Sequence, residues 1–331
     1  MQDRIDISDA FVMVEDLPRP RWDIIFDYAD RVETADEDHL WTDIARQWLE
    51  RLAIALGDKY GIVESANFLV LLDTTDSGDR VVAPFAEGCR HALRKTLGGV
   101  AEFPGPGKTV LLALDNIRTY YSYVAPFHPE GQFGGSAGMQ IREGYPHVVM
   151  YGMPQFFLPT LAHEMMHASL CHLTLPLWLE EGLAQMFEHD MTGRDLLAVT
   201  SEIARKQKTY WRKNGLDHFW SGKGFTRPGK IQELSYQLAE ILMRLIVEEH
   251  RPRWFGIRRA RQERFVAFLR EASAADCGES AANEHLGKGL GDLAATFLGP
   301  GDWSPRLVVS DDDASAVTPP AKTQTSPACS P

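Results

Sequence analysis

Residues 156–171 read FFLPTLAHEMMHASLC, a helix-length run that is apolar on nearly every side and yet carries two histidines and a carboxylate. A helix that is hydrophobic all round belongs in an interior, so the fold has to enclose this segment. Its polar members, Thr160, His163, Glu164 and His167, gather on one stripe. Burying two imidazoles and a carboxylate without partners costs several kcal/mol. The stripe therefore has to face groups, or a ligand, that satisfy it.

The flanking sequence supplies the enclosure. Trp41, Ile44, Trp48, Leu52 and Ala55 recur at three- to four-residue spacing between Asp36, a plausible N-cap, and Gly57, which predicts an amphipathic helix. The apolar runs ANFLVLLDT (66–74), TVLLALDN (109–116) and PHVVMYG (146–152) read as strands, with a helix over 85–97 between the first two. Residues 119–145 read as aromatic and glycine-rich loop. Helices are expected at 156–172 and 176–189, the second with Pro176 in its first turn and Thr174 as cap. Further helices are expected at 192–213, 231–250, 257–274 and 281–298, and 304–331, small, polar and proline-rich, reads as a disordered tail. The fold class is α+β: a small mixed sheet with the site-bearing helix, then a mainly helical C-terminal half. The expected division is an N-terminal helical lead (1–60), a sheet-containing unit (61–190), a helical unit closing a cleft (191–303) and the tail (304–331).

His163-Glu164-Met165-Met166-His167 is an HExxH pattern. On a helix the two histidines lie about 40° apart in azimuth and about 6 Å apart along the axis, so both rings can reach one metal ion. Glu164 flanks the position where a reacting water would sit. Two histidines leave a zinc site incomplete. The next helix offers Glu180 and Glu181, 13 and 14 residues past His167. Periodicity does not choose between them: Glu180 shares a face with Leu183, Ala184 and Phe187, and Glu181 shares one with Gln185 and Glu188. Glu188, His189 and Asp190 are candidates to orient a ligand, with a solvated helix face as the plainer reading.

The combination LAHEMMHASL, PLWLEEGLAQMFE and SYQLAEILMRLI resembles the gluzincins, the peptidase-MA-like zinc metallopeptidases that include thermolysin and the M1 aminopeptidases. The likeness spans roughly residues 66–250 and is specific in the two zinc motifs. It implies a zincin-like fold with a strand-lined cleft beneath the HExxH helix. It implies one Zn²⁺ held by His163, His167 and Glu181, the glutamate just before the glycine of the second motif, with Glu164 as general base. It places Tyr236, 55 residues past Glu181, where M1-like enzymes keep an oxyanion-stabilising tyrosine. The implied activity is peptide-bond hydrolysis on a peptide or protein substrate. GGSAGMQ at 134–140 stands where M1 aminopeptidases carry Gly-Ala-Met-Glu-Asn, and without that glutamate an amino-terminal specificity has no support. The alternatives are a non-catalytic zinc protein used for partner binding and a zinc hydrolase of a non-peptide amide.

Other patterns fit less well. Gly134–Gly138 matches G-x-S-x-G but lacks the strand-then-helix setting of a nucleophile elbow, and reads instead as a loop over the cleft. Cys171 is about 12 Å along the helix from His163, too far to share its metal, and reads as a buried small residue. The stretch 251–270 carries seven arginines, but Phe265, Phe268 and Leu269 give it a core face and no nucleic-acid motif accompanies it. With 34 basic and 46 acidic side chains the net charge is −12, which argues against a general nucleic-acid binder. Four scattered cysteines, no basic-then-apolar leader and no apolar run long enough to cross a bilayer predict a cytoplasmic protein with reduced thiols.

Overall fold

A computed structural model describes residues 5–32, 36–75, 78–103, 105–127, 137–193, 197–250 and 255–306. The chain opens with a hairpin of β1 (Phe11–Val14) and β2 (Leu17–Pro20), followed by α1 (Trp22–Ala29) and α2 (Glu37–Leu56). Strands β3 (Tyr60–Glu64) and β4 (Phe68–Asp73), helix α3 (Val82–Leu97), β5 (Thr109–Leu114), α4 (Ile117–Val124), β6 (Gly138–Ile141) and β7 (His147–Tyr151) complete the sheet region. Helices α5 (Pro154–Leu170), α6 (Leu177–Thr192), α7 (Ser201–Asn214), α8 (Asp217–Trp220), α9 (Lys223–Thr226), α10 (Lys230–His250), α11 (Phe255–Glu271), α12 (Glu279–Ala281) and α13 (Leu290–Leu298) follow. This is an α+β fold.

The sheet has the order β3-β4-β5-β7-β6; β4, β5 and β7 run parallel, and the edge strands β3 and β6 are antiparallel to their neighbours. FLVLLD and TVLLAL lack the alternation of a half-exposed strand because both of their faces are covered. Phe68, Val70, Leu111, Ala113, Val148 and Met150 join the core with α3 and α5. Leu69, Leu71, Val110, Leu112 and Val149 join a second core with α2, α4 and residues from the N-terminal hairpin region. The hairpin region, α1 and α2, together with α4, thus cover one face of the sheet.

The amphipathic helix forms as its spacing predicts: Asp36 caps α2 by accepting the His39 amide at 3.0 Å, and Trp41, Ile44, Trp48 and Leu52 are buried, while Ala55 is exposed. Several expectations need correction. The stretch 119–145, read as loop, holds the end of α4 and all of β6; the buried positions of α4 are Tyr120, Tyr123 and Val124, a face whose phenols mask its periodicity. The helix expected from 192 starts at Ser201, capped by Thr200, because α6 ends at Gly193 in the left-handed conformation. The helix expected over 281–298 is broken at Gly287, which has φ +72°. Thr174 does not cap α6; its carbonyl accepts the Ala274 amide at 2.9 Å, and Pro176 stands at the cap position. Within the expected tail, residues 304–306 are described, with Arg306 near Asp217 (3.8 Å) and Asp302 (3.5 Å); 307–331 lie outside the described residues. Among the described residues no helix is long and apolar enough to cross a membrane, and Cys89, Cys171 and Cys277 are free thiols.

Candidate metal centre

Helix α5 is aimed by the turn that precedes it. Gly152 follows β7 with φ +103°, its amide bonded to the Leu114 carbonyl at 2.8 Å, and Pro154 starts the helix with its fixed φ. The apolar sides of α5 are buried through Phe157, Leu161, Ala162, Met165, Met166 and Leu170, which anchors the helix between the sheet and α6. Its polar stripe faces β6 on one side and the carboxylates of α6 on the other. Edge strand β6 lies along that stripe so closely that a Cβ on Gly138 would sit 2.4 Å from Thr160 Cγ2 and 3.4 Å from Glu164 Cγ.

Helix α6 is fixed by Trp178, which is wholly buried against Phe219 and Trp220 and donates its indole Nε1–H to the Cys277 carbonyl at 2.9 Å. The next residues turn into the site. Glu181 is 8% exposed, and Gly182 lets α6 approach α10: a Cβ there would lie 2.5 Å from Met243 Cγ and 2.8 Å from the Ala239 carbonyl oxygen.

Three side chains then converge. His163 Nε2 and His167 Nε2 are 3.1 Å apart, and Glu181 Oε2 lies 3.4 Å from the first and 3.7 Å from the second. Each Nδ1 faces a different carboxylate: His163 meets Glu188 Oε2 at 3.5 Å, and His167 meets Glu180 Oε1 at 3.1 Å. A carboxylate only accepts, so each Nδ1 carries a hydrogen, and the two Nε2 atoms are left to share the remaining space with Glu181 Oε2. Glu181 Oε2 is buried there with no hydrogen-bond partner. Two ring nitrogens and a carboxylate oxygen so placed can be balanced by protons on the rings or by one shared cation. Their separations straddle the ~3.3 Å expected between two ligands each ~2.0–2.1 Å from a tetrahedral ion. His163, His167 and Glu181 can together hold a metal.

The electrostatics express the same demand. Burial acts to lower the His163 pKa, but the Glu181 and Glu188 carboxylates outweigh it and raise it to about 9. His167, also buried, is held well above its ordinary value by Glu181 and Glu180. Glu181 is driven the other way: burial favours its neutral form, yet the two imidazoles keep it well below the usual carboxylate range. Protons on the histidines here do what a metal dication would do. Burial raises the pKa of Glu164, partly offset by His167 and His163 and by a hydrogen bond from the Gln140 amide. A carboxyl with a raised pKa beside a triad that can hold a metal is suited to general acid–base work.

Of the two candidate third ligands, Glu181 enters the triangle and Glu180 stands behind His167, held in turn by Arg142 at 3.6 Å. Glu188 reaches His163, whereas His189 turns to Glu240 (3.8 Å) and Asp190 is exposed. Tyr236, on α10, is brought to the site: burial raises its phenol pKa, and the Glu181 and Glu164 carboxylates add to the shift. Cys171 is half-buried rather than buried, and its carbonyl accepts Arg142 Nη1 at 3.4 Å. Of GGSAGMQ, residues 134–136 lie outside the described residues, and Gly138–Gln140 form strand rather than loop. In the arginine-rich stretch, 251–254 are outside the described residues, while Phe268 and Leu269 are buried as a core face. Arg142 was not legible as a site residue; Gly138 and Gln140 lie in the segment that the resemblance aligned with a substrate-anchoring strand, but their approach to Glu164 depends on β6 lying against α5. Glu188 shared the Glu181 stripe and was legible.

No protein-family model matches this chain, and no curated protein matches it in sequence.

Proposed function

We propose that this protein is a zinc-dependent metallohydrolase with a zincin-like fold, and that it cleaves peptide bonds. The observation that carries the reading is the convergence of His163 Nε2, His167 Nε2 and the unpartnered, buried Glu181 Oε2 on one point, with the Glu164 carboxyl beside it. His163, His167 and Glu181 would hold the metal. Zinc in such a three-ligand site supplies Lewis acidity, polarising a carbonyl and acidifying a water. Glu164, its pKa raised, takes the water proton on its carboxylate and returns it to the leaving amine. The Gln140 amide keeps that carboxylate oriented from β6. Glu180 and Glu188 accept from Nδ1 of the two histidines and fix their tautomers and ring angles. Tyr236 offers a phenol that stays protonated at neutral pH and can donate to developing negative charge. Glu164 favours hydrolysis over a purely structural metal, which needs a fourth protein ligand and no adjacent base.

The test is zinc content and cleavage of a mixed peptide library by wild type, Glu164→Gln and His163→Ala. Hydrolysis by this site requires that Glu164→Gln keep zinc and lose cleavage, and that His163→Ala lose both. Stoichiometric zinc with no cleavage of any peptide by wild type would turn the reading to a zinc-binding protein or to a non-peptide amide as substrate. No metal uptake at all would remove the site assignment.

A further inference from the structure

Resting on that reading, the first turns of α5 carry a feature that the hydrolytic chemistry does not use. From Phe156 onward the accessible stripe of α5 runs Phe156, Thr160, His163, Glu164, His167. At 3.6 residues per turn Phe156 falls within about 20° of both His163 and His167, roughly 10 Å along the helix from His163. Phe156 is 64% exposed, and Met153, three residues earlier, is 50% exposed, while Phe157, Leu161, Met165 and Met166 on the other sides are buried. A lone exposed apolar residue is ordinary, but two neighbours, Met153 and Phe156, in line with the metal-ligating face of the same helix give a ligand apolar surface to cover.

The chemistry of that ligand follows from charge. Residues 153–162, MPQFFLPTLA, contain no ionisable side chain, whereas Glu164, Glu180, Glu181 and Glu188 crowd the metal end. Ile117, 49% exposed, lies just beyond the end of β5, at the same end of the parallel strands as Met153 beyond β7. An extended chain advances ~3.3 Å per residue, so roughly 10 Å corresponds to three residues. We propose that Phe156, with Met153, forms an apolar specificity subsite that takes an aromatic or branched aliphatic side chain about three residues to one side of the bond held at His163, Glu164 and His167.

The experiment pairs turnover with binding. Cleavage of a peptide library randomised over four positions on each side of the scissile bond is read for wild type, Phe156→Ala and Phe156→Glu, with zinc content measured for each. Ile54→Ala, an 81% exposed residue of α2, serves as the surface control. Binding of the same peptides, fluorescently labelled, is read by anisotropy on Glu164→Gln with and without Phe156→Ala. Wild type is expected to select aromatic and aliphatic residues at one position near the third. Phe156→Ala is expected to lower that selectivity ratio about 10- to 100-fold, with zinc unchanged, and Phe156→Glu to shift the preference to Lys and Arg. An unchanged residue preference in Phe156→Ala, with cleavage intact, overturns the subsite and leaves the hydrolase reading standing. Phe156-dependent binding to Glu164→Gln without any cleavage by wild type supports the subsite and overturns the hydrolase. Absence of binding and cleavage alike overturns both, and Phe156-dependent adsorption to neutral phospholipid vesicles without peptide binding overturns the subsite in favour of a membrane contact.

Discussion

Replacing Gly182 with alanine adds one methyl group between two helices and sets two effects of opposite sign against each other. In an unconstrained helix interior the change stabilises by up to ~1 kcal/mol, since glycine loses the most backbone entropy on ordering. Here the new Cβ would meet Met243 Cγ at 2.5 Å and the Ala239 carbonyl oxygen at 2.8 Å. The methionine can swing away. The carbonyl belongs to the main chain of α10 and cannot, so α6 and α10 have to separate by about 0.6 Å to regain an ordinary contact. Overpacking of this kind costs ~1–3 kcal/mol. The clash wins, and the net expectation is a loss of ~1–2 kcal/mol. The neighbouring residue is Glu181, and metal sites tolerate ligand displacements of only about ±0.2 Å. Zinc affinity should therefore fall by about tenfold or more, which is ~1.4 kcal/mol. Gly88→Ala is the internal control: its Cβ would meet only Met191 Cε, at 3.9 Å in the interior of α3, so it should gain up to ~1 kcal/mol. Urea midpoints of both variants in the presence of a chelator, and zinc affinity by competition with a chromophoric chelator, separate packing from ligation. A Gly182→Ala protein as stable as Gly88→Ala, with wild-type zinc affinity, would refute the close-approach reasoning.

Further expectations concern protonation, ligand identity and anchoring. His147 is buried, its Nδ1 2.7 Å from the Tyr145 carbonyl and its Nε2 2.8 Å from Tyr123 Oη, an arrangement for the neutral ring; burial lowers its pKa to about 4. The unfolded chain, with a pKa near 6.5, binds the proton first, so this stabilisation is complete above about pH 6.5 and is lost as pH falls toward 4, by ~3 kcal/mol. Urea midpoints at pH 7 and 4.5 should fall further in wild type than in His147→Gln, and equal slopes would contradict this. Glu181→Ala should abolish stoichiometric zinc binding, whereas Glu180→Ala should weaken it about 10- to 100-fold by freeing His167 Nδ1; isothermal titration giving the reverse order would exchange their roles. Trp178→Phe removes the indole bond to the Cys277 carbonyl and should cost ~1–3 kcal/mol of stability, read as a lower thermal midpoint.

Elements with strong local signals were readable from the chain alone. Asp36 and Gly57 bound α2, FLVLLD and TVLLAL are central strands because continuous apolar runs need cover on both faces, and FFLPTLAHEMMHASLC is a buried helix with one polar stripe. That stripe named His163, Glu164 and His167, because positions i and i+4 share a face on any α-helix. Local periodicity could not choose between Glu180 and Glu181. Adjacent residues lie only 100° apart on α6, and which one points at α5 depends on how the two helices are rotated and packed, set by Trp178 on one side and Gly182 on the other. Nor could it find Arg142, or show that Gly138 and Gln140, in the segment set against Gly-Ala-Met-Glu-Asn, reach Glu164. Four residues of edge strand carry too little pattern to be recognised, and they reach the site only through pairing with β7 and contact with α5. The ligand-bearing helix was written into the chain; the completion of its site was decided by tertiary packing, because convergence of side chains from three separate elements depends on the distances between elements, which no local spacing encodes.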